Sequence, residues 1–481
     1  MNGDSRERGK LTPEGLPDPS VFSTKYNREG IRVGTAVALF VRNAKRAKKP
    51  NVRYRDFWGA TKREDLRNSL AAKIFNVEYQ IADPQAFNKF SFRPGEIGGN
   101  YLAWPKLPDL AGIPPINGLM EKRGSALINI DRAQLVSRMR QYYDKNMDWH
   151  TYKRLGKPLG KNAVRFNAEK TRKKVIGKEE FDAERVVRYF LRPFDVRHAY
   201  YTAVRPVWNE PRPQLWAQYA GSNSFLISRP AHVADPEGVP FGFTRCLGDN
   251  DAFRGHAYYI PISKRDNANG MLAATTIANL SKRSRDYLKA LGYADLNENA
   301  AVASIIWLHA LATGYSRRYL AENADGVTID WPRIPLPDTR DMLDSSAALG
   351  RRLAALLDTE GDVVEVTTGS LAGHYRVLGA ISASDLTVNA GWGRADKKGS
   401  VYPGTGKIVA RDWTQAERDA LKAGFVAAEI PEARGFELLG RPVDVYLNGT
   451  TYWRAVPEQV WEFYIGGYQV IKKWLSYVRN P

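Results

Sequence analysis

Guanidinium groups and aromatic rings alternate through Arg192-Pro193-Phe194-Asp195-Val196-Arg197-His198-Ala199-Tyr200-Tyr201, with Arg205 and Trp208 close behind. Arginine forks read guanine edges or clamp phosphates, and aromatic faces stack on exposed bases. The same residues fit a structural role equally well, with the rings in a core and the arginines paired to Asp195 and Glu210. Both readings stand on the residues alone.

Other chemistry is poorly supplied. The histidines at 150, 198, 232, 256, 309 and 374 stand singly, without the spacing of a metal site, so no zinc or iron centre is expected. His309 lies in an apolar stretch and reads as a satisfied core residue. The lone Cys246 excludes an internal disulfide and has no local pattern of a nucleophile. Pro403-Gly404-Thr405-Gly406-Lys407 is not a phosphate loop, because Val401 stands where its first glycine belongs and Ile408 replaces the metal-binding hydroxyl. No complete active site emerges.

Charge is the stronger signal. The 481 residues carry 71 Lys+Arg against 52 Asp+Glu, a net charge of +19. Arg42 to Arg63 holds nine basic residues and one acid, and Thr151 to Arg188 holds twelve basic and five acidic residues. Such clusters release counterions from a polyanion and grip nucleic acid without reading its sequence. Arg42, Lys45, Arg46, Lys48, Lys49, Arg172, Lys173 and Lys174 are the candidate phosphate contacts. A membrane surface fits less well, since neither cluster has a bulky apolar face. The polar start, the single cysteine and the absence of any long apolar run predict a soluble, cytoplasmic protein.

Several elements must position these residues. Ile31–Val41 is almost continuously apolar and predicts a strand buried on both faces; Asn51–Trp58 alternates as a second strand, and a helix follows near Arg63–Lys73. Asp131 caps a helix to Asp144, and the stretch 151–178 looks mobile or ordered by a partner. Ala301–Tyr319 reads as a buried helix, and Met342–Leu357 as an amphipathic one with Met342, Leu349, Leu353 and Leu356 on its stripe. Asn448-Gly449 between alternating runs marks a hairpin. Pro457 opens a helix with Trp461, Tyr464, Tyr468, Ile471, Leu475 and Val478 on one face, broken or kinked at Gly466-Gly467.

In order along the chain, Arg192-Pro193-Phe194-Asp195 with Arg197 and Tyr200-Tyr201, then Trp331-Pro332-Arg333-Ile334-Pro335-Leu336-Pro337, then Val460-Trp461-Glu462-Phe463-Tyr464-Ile465-Gly466-Gly467-Tyr468-Gln469-Val470 leading to Lys473-Trp474-Leu475, resemble the C-terminal half of type ISP restriction–modification enzymes. Those chains carry an adenine-specific DNA methyltransferase followed by a target-recognition domain. Asp18-Pro19-Ser20-Val21-Phe22 and Gly30-Ile31-Arg32-Val33-Gly34-Thr35-Ala36 look like the segment after the catalytic motif of such methyltransferases. The chain departs from the family at the chemistry. No Asn/Asp-Pro-Pro-Tyr/Phe motif is present, Pro114-Pro115 having neither flank, and no glycine-containing loop for S-adenosylmethionine precedes it.

The resemblance implies an α/β remnant of a methyltransferase sheet over 1–80, a basic connector over 81–185, and a mixed α+β target-recognition domain over 186–481. It implies double-stranded DNA as partner, with an upstream methyltransferase, helicase or nuclease part. No cofactor is expected in this chain; S-adenosylmethionine belongs to the complete enzyme. Arg192, Arg197, Tyr200, Tyr201 and Arg205 become candidate base readers, and Tyr54, Phe57 and Trp58 candidates to pack beside an extruded base, against sheet-edge packing as the alternative. A carbohydrate-binding or structural module with aromatic platforms is the competing function, drawn from 12 Trp and 24 Tyr.

Overall fold

The computed structural model describes residues 12, 15–27, 30, 35–42, 44–45, 51–71, 78–88, 90–95, 97, 100–219, 223–233, 236–266, 275–363, 382–395 and 401–477. The chain divides into two compact units. One comprises Met1–Ala103, Pro230–Pro236 and Arg318–Pro332; the other comprises Trp104–Arg229, Glu237–Arg317 and Arg333–Pro481.

In the first unit α1 (Lys62–Ala71) follows β1 (Val52–Tyr54), near the expected strand and helix, and β1 pairs antiparallel with β2 (Gln80–Ala82), an unexpected strand. Buried Asp18 anchors the helix start by accepting from the Gly59 amide at 2.7 Å and from Lys62 Nζ at 2.6 Å. Lys62, part of the first basic cluster, is thus an interior ion-pair partner. The strand expected at Ile31–Val41 is corrected: residues 35–42 form none, and Val37, Leu39, Phe40 and Val41 are exposed, while 31–34 lie outside the described residues. A strand persists only where its amides and carbonyls meet a neighbouring ladder. No described residue supplies one, and a methyltransferase-sheet remnant is not seen.

The second unit is the expected mixed α+β architecture. One four-stranded antiparallel sheet has the order β3 (Ile116–Asn117), β10 (Tyr258–Pro261), β7 (Phe225–Ser228), β8 (Gly242–Thr244). The other runs β4 (Ile128–Asn129), β6 (Asp195–Tyr200), β5 (Val186–Arg192), β9 (Leu247–Gly248), with β5 and β9 parallel.

Capped helices surround these sheets. α2 (Arg132–Tyr143) starts at Asp131, whose carboxylate accepts from the Ala133 and Gln134 amides and so satisfies two otherwise orphaned donors. α3 (Trp149–Arg154) is capped by Asp148 and α4 (Ala168–Ile176) by Asn167. The stretch 151–178 thus carries its own caps and packs through buried Tyr152, Leu159, Phe166 and Val175.

α5 (Ala300–Tyr315) is buried nearly all round, ending at Tyr315 rather than Tyr319. His309 is satisfied within it, with Nδ1 2.8 Å from Ser346 Oγ and Nε2 2.6 Å from the Pro335 carbonyl. α6 (Arg340–Leu357) packs on α5, but through Leu343, Ala347, Gly350 and Ala354; Met342, Leu349 and Leu356 are exposed. The expected stripe is the wrong face because small residues decide how closely helices approach. A Cβ on Gly350 would lie 1.9 Å from the Leu308 carbonyl oxygen.

β11 (Ile408–Ala410), β12 (Pro442–Tyr446) and β13 (Tyr452–Pro457) form a sheet, and β12–β13 is the Asn-Gly hairpin. Its loop runs over 447–451, where Asn448 accepts from the Thr450 and Thr451 amides and donates to the Asp385 and Thr387 carbonyls. The helix expected from Pro457 is a single turn, Glu458–Trp461. β14 (Tyr464–Ile465) and β15 (Tyr468–Gln469) then double back through Gly466 and Gly467, both at positive φ (54° and 79°), before α7 (Val470–Tyr477). Two consecutive positive-φ residues make the tight turn that suits a two-residue hairpin. Trp392, Val443, Val445, Leu447, Trp461 and Leu475 close the core beneath. No helix among the described residues is long and apolar enough to cross a membrane.

Candidate nucleic-acid interface

The arginine–aromatic phrase occupies the β5–β6 hairpin, with Phe194 in the turn at φ 60°. Arg192 points inward and is 8% exposed. Its Nη1 donates to Asp249 Oδ1 at 2.8 Å, Tyr189 donates its hydroxyl to Asp249 Oδ2 at 2.8 Å, and the guanidinium lies 5.8 and 5.6 Å from the ring centres of Tyr468 and Tyr477. Burial works against the charge of Arg192; the attraction of Asp249 more than offsets it and holds the proton above the ordinary arginine range. Lys473 sits over the same rings, 4.8 Å from Tyr468 and 4.5 Å from Tyr477. Burial first, then repulsion from Arg192, pushes its ammonium down to about 7. Two of the three distinctive phrases thus meet in one interlock between the hairpin and α7.

The other expected base readers are also engaged. Arg197 donates from Nε and Nη2 to the two Asp195 oxygens, each at 2.8 Å. Tyr200 is fully buried against Phe181, ring centres 5.9 Å apart, and its carbonyl accepts from Trp208 Nε1 at 3.0 Å. Tyr201 stacks on Trp216 at 3.9 Å, beside a 390 Å³ cavity lined by Glu179, Asp182, Glu184 and Arg185, a setting that repels phosphate. Arg205 is paired with Glu210. In this hairpin the structure favours the alternative of core rings and paired arginines.

In the first unit, Tyr54 donates to Asp56 Oδ1 at 2.8 Å, and burial, with that hydrogen bond, pushes its hydroxyl up to about 12. Phe57 is buried, edge-on to Tyr79 at 6.5 Å with the Arg55 guanidinium 4.7 Å from its ring centre, and Trp58 is half-buried. Sheet-edge packing describes Phe57. Arg42 and Lys45 are exposed; Arg46, Lys48 and Lys49 lie outside the described residues.

The lobe of α2, α3 and α4 behaves differently. Arg172 departs from its expected role as a phosphate contact: it is 4% exposed, donates to the Tyr142 and Asp144 carbonyls at 2.9 and 2.6 Å, and lies 5.0 Å from the Tyr152 ring centre. Ala168, Thr171, Arg172 and Val175 are spaced i, i+3, i+4 and i+7, a pattern that already marks the buried face of α4. Its neighbours Lys173 and Lys174 are exposed. So are Lys153, Lys161, Arg165, Lys170 and Lys178, which the expected phosphate set omitted. Among the described residues, none of Lys153, Lys161, Arg165, Lys170, Lys173 and Lys178 has a carboxylate at ion-pair distance, whereas Lys145 pairs with Glu180 at 2.7 Å. Unneutralised exposed cations on a rigid scaffold are what a polyanion needs.

Residues 116–480 match the family described as the type ISP C-terminal specificity domain. The fold is similar to that of a nuclease-deletion mutant of the type ISP restriction–modification enzyme LlaGI in complex with a DNA substrate mimic, with a TM-score of 0.53 at 14% identity over 99% of this chain and 32% of that one. It is also similar to the ATP-dependent type ISP restriction–modification enzyme LlaBIII bound to DNA, with a TM-score of 0.51 at 14% identity over 89% of this chain and 25% of that one. The chain therefore spans about a third and a quarter of the lengths of these enzymes. No curated protein matches the sequence.

Proposed function

The chain belongs to the type ISP C-terminal specificity domain family, and from that premise we propose that it recognises double-stranded DNA as the specificity part of a site-specific adenine-N6 methyltransferase in a restriction–modification system. The observation that carries this reading is the rigid α2–α4 lobe, whose exposed Lys153, Lys161, Arg165, Lys173 and Lys178 lack carboxylate partners among the described residues. Phosphate contacts there position the duplex, and base contacts elsewhere specify it. The competing carbohydrate reading draws on exposed aromatic platforms; Trp208, Trp307, Trp392 and Trp461 are buried, which leaves it exposed rings such as Trp453 and Tyr452.

The residues of this chain do not fit S-adenosylmethionine. Pro114-Pro115 lies in a segment whose Gly112 and Ile113 amides are held by Asn279 Oδ1, at 2.9 and 3.0 Å, and its flanks are Ile113 and Ile116 in place of Asn/Asp and Tyr/Phe. No transfer step is assigned here. Methyl transfer, and any helicase or nuclease action, belong in this reading to other parts of a longer enzyme or to partners.

Duplex binding at two salt concentrations tests the reading. Wild type should lose roughly 10³-fold or more in affinity between about 50 and 200 mM salt if it neutralises six or more phosphates. Replacing Lys153, Lys161 and Lys178 with Gln should weaken all duplexes alike and flatten the log–log salt slope by up to about 0.9 for each phosphate left unneutralised. A protein that ignores DNA at low salt, or a triple variant indistinguishable from wild type, overturns it.

A further inference from the structure

A wide, shallow depression of about 540 Å³ lies on the surface between α4 and Pro206, lined by Arg165, Lys170 and Lys174 together with Asn162, Ala163 and Phe166. That volume falls within the roughly 300–1,000 Å³ of small-ligand sites, and its cations come from a loop and from one face of a helix. The walls are braced. Arg123 donates through Nε and Nη2 to the Pro206 carbonyl at 3.2 and 2.6 Å, and its guanidinium lies 4.4 Å from the centre of the Phe166 ring. Asn162 Oδ1 accepts from the Ala168 amide at 2.9 Å, fixing the loop that carries Arg165. Lys174 donates one hydrogen bond, to the Arg205 carbonyl at 2.7 Å, which holds its ammonium at the rim; an ammonium has three donors to give.

We propose that this depression takes one nucleotide unit of a DNA strand, with its phosphate among Lys170, Lys174 and Arg165 and its sugar against Ala163 and Pro206. The argument is one of composition. Three cations and an apolar wall in one concave site match a ligand that is anionic at one end and apolar beside it. An isolated inorganic anion has no use for the Ala163–Pro206 wall, and an apolar ligand none for the cations. The inference rests on the DNA-binding reading above and adds a particular site to it.

The test uses the whole chain, a set of duplexes carrying one neutral methylphosphonate linkage at successive positions, and three variants whose folding is checked by circular dichroism. Ala163→Trp fills the depression without changing charge and should weaken duplex binding about tenfold, the effect of one or two phosphates held away from their cations. Lys170→Gln with Lys174→Gln should flatten the salt slope by about 1.8 and abolish the sensitivity to one particular methylphosphonate that wild type shows. Lys153→Gln with Lys161→Gln, outside the depression, should keep that sensitivity. Duplex binding that is intact in Ala163→Trp, or a methylphosphonate profile unchanged in the Lys170/Lys174 variant, overturns the site assignment alone. A wild-type chain that retains no duplex at low salt overturns the DNA-binding reading, and this site with it.

Discussion

The β5–β6 hairpin and the α2–α4 lobe are both rich in arginine and tyrosine, yet the two regions use their charged residues in opposite ways. In the hairpin, Arg192 is enclosed by Asp249, Tyr468 and Tyr477, and Arg197 is chelated by Asp195. In the lobe, Arg172 does the same kind of interior work, but Lys153, Lys161, Arg165, Lys170 and Lys173 around it stay exposed. A saturated charge builds structure, because its donors are spent and removing its partner strands it in a poor dielectric. An exposed, unneutralised charge does little for stability and remains available to a phosphate. The comparison teaches that two of the distinctive phrases of this chain hold it together, while its plainer lysines stay exposed and unspent.

The largest expected effect comes from breaking the interlock. Asp249→Ala leaves the Arg192 guanidinium buried without its counter-ion, and losing one partner of such a pair costs about 3–5 kcal/mol. Urea denaturation should show that loss; a midpoint close to wild type would mean that solvent reaches Arg192. Next comes the contrast between adjacent residues of α4. Arg172→Ala removes two charged donors from buried carbonyls and should cost about 2–3 kcal/mol in stability. Lys173→Ala should leave stability within about 0.5 kcal/mol and instead flatten the salt slope of DNA binding by up to about 0.9. Equal stability losses in the two variants would erase the distinction between the regions.

A smaller effect tests the strained charge in the interlock. Arg192, Arg254, Asp251 and Asp195 surround Lys473, and its ammonium is pushed down to about 7 in the folded chain. The unfolded chain keeps that proton up to about 10.4. Between those values the unfolded state binds more protons, so stability rises with pH from about 7 to about 10. Lys473→Met should lack this rise, and the difference between wild-type and variant urea midpoints should shift in favour of wild type between pH 6.5 and 9. Parallel curves would show that solvent keeps Lys473 charged throughout.

Local signals explain what was legible beforehand. The Asp131 cap, the α5 core helix and the Asn448-Gly449 hairpin depend on neighbours within a few residues, and each is found near its expected place. Arg192 could not be assigned in that way, since Asp249 stands 57 residues away in sequence. The stripe on α6 failed for a different reason. Large side chains drew attention to Met342, Leu349 and Leu356, whereas contact with α5 needs the small Ala347 and Gly350. Residues 35–41 form no strand because apolar composition alone cannot provide a ladder partner. In the candidate interface, the excess of charge over 151–188 was plain, but which cations face outward depended on the caps of α3 and α4.

The smallest expected effect is the one that bears most directly on base reading. An arginine that reads a base contributes about 1–3 kcal/mol of discrimination at its own position. Arg197 gives Nε and Nη2, one edge of its guanidinium, to Asp195, and the group lies 5.8 Å from the Tyr477 ring centre. Its other three N–H donors stay uncommitted to Asp195, but the side chain is only 16% exposed, held between Asp195 and the Tyr477 ring. Arg197→Ala should therefore change the ratio of cognate to non-cognate binding by less than about 0.5 kcal/mol, measured by competition at one fixed salt concentration. A loss confined to one position of the target would instead place Arg197 on a base edge, and would make the hairpin, like the lobe, a surface whose charges are held for DNA.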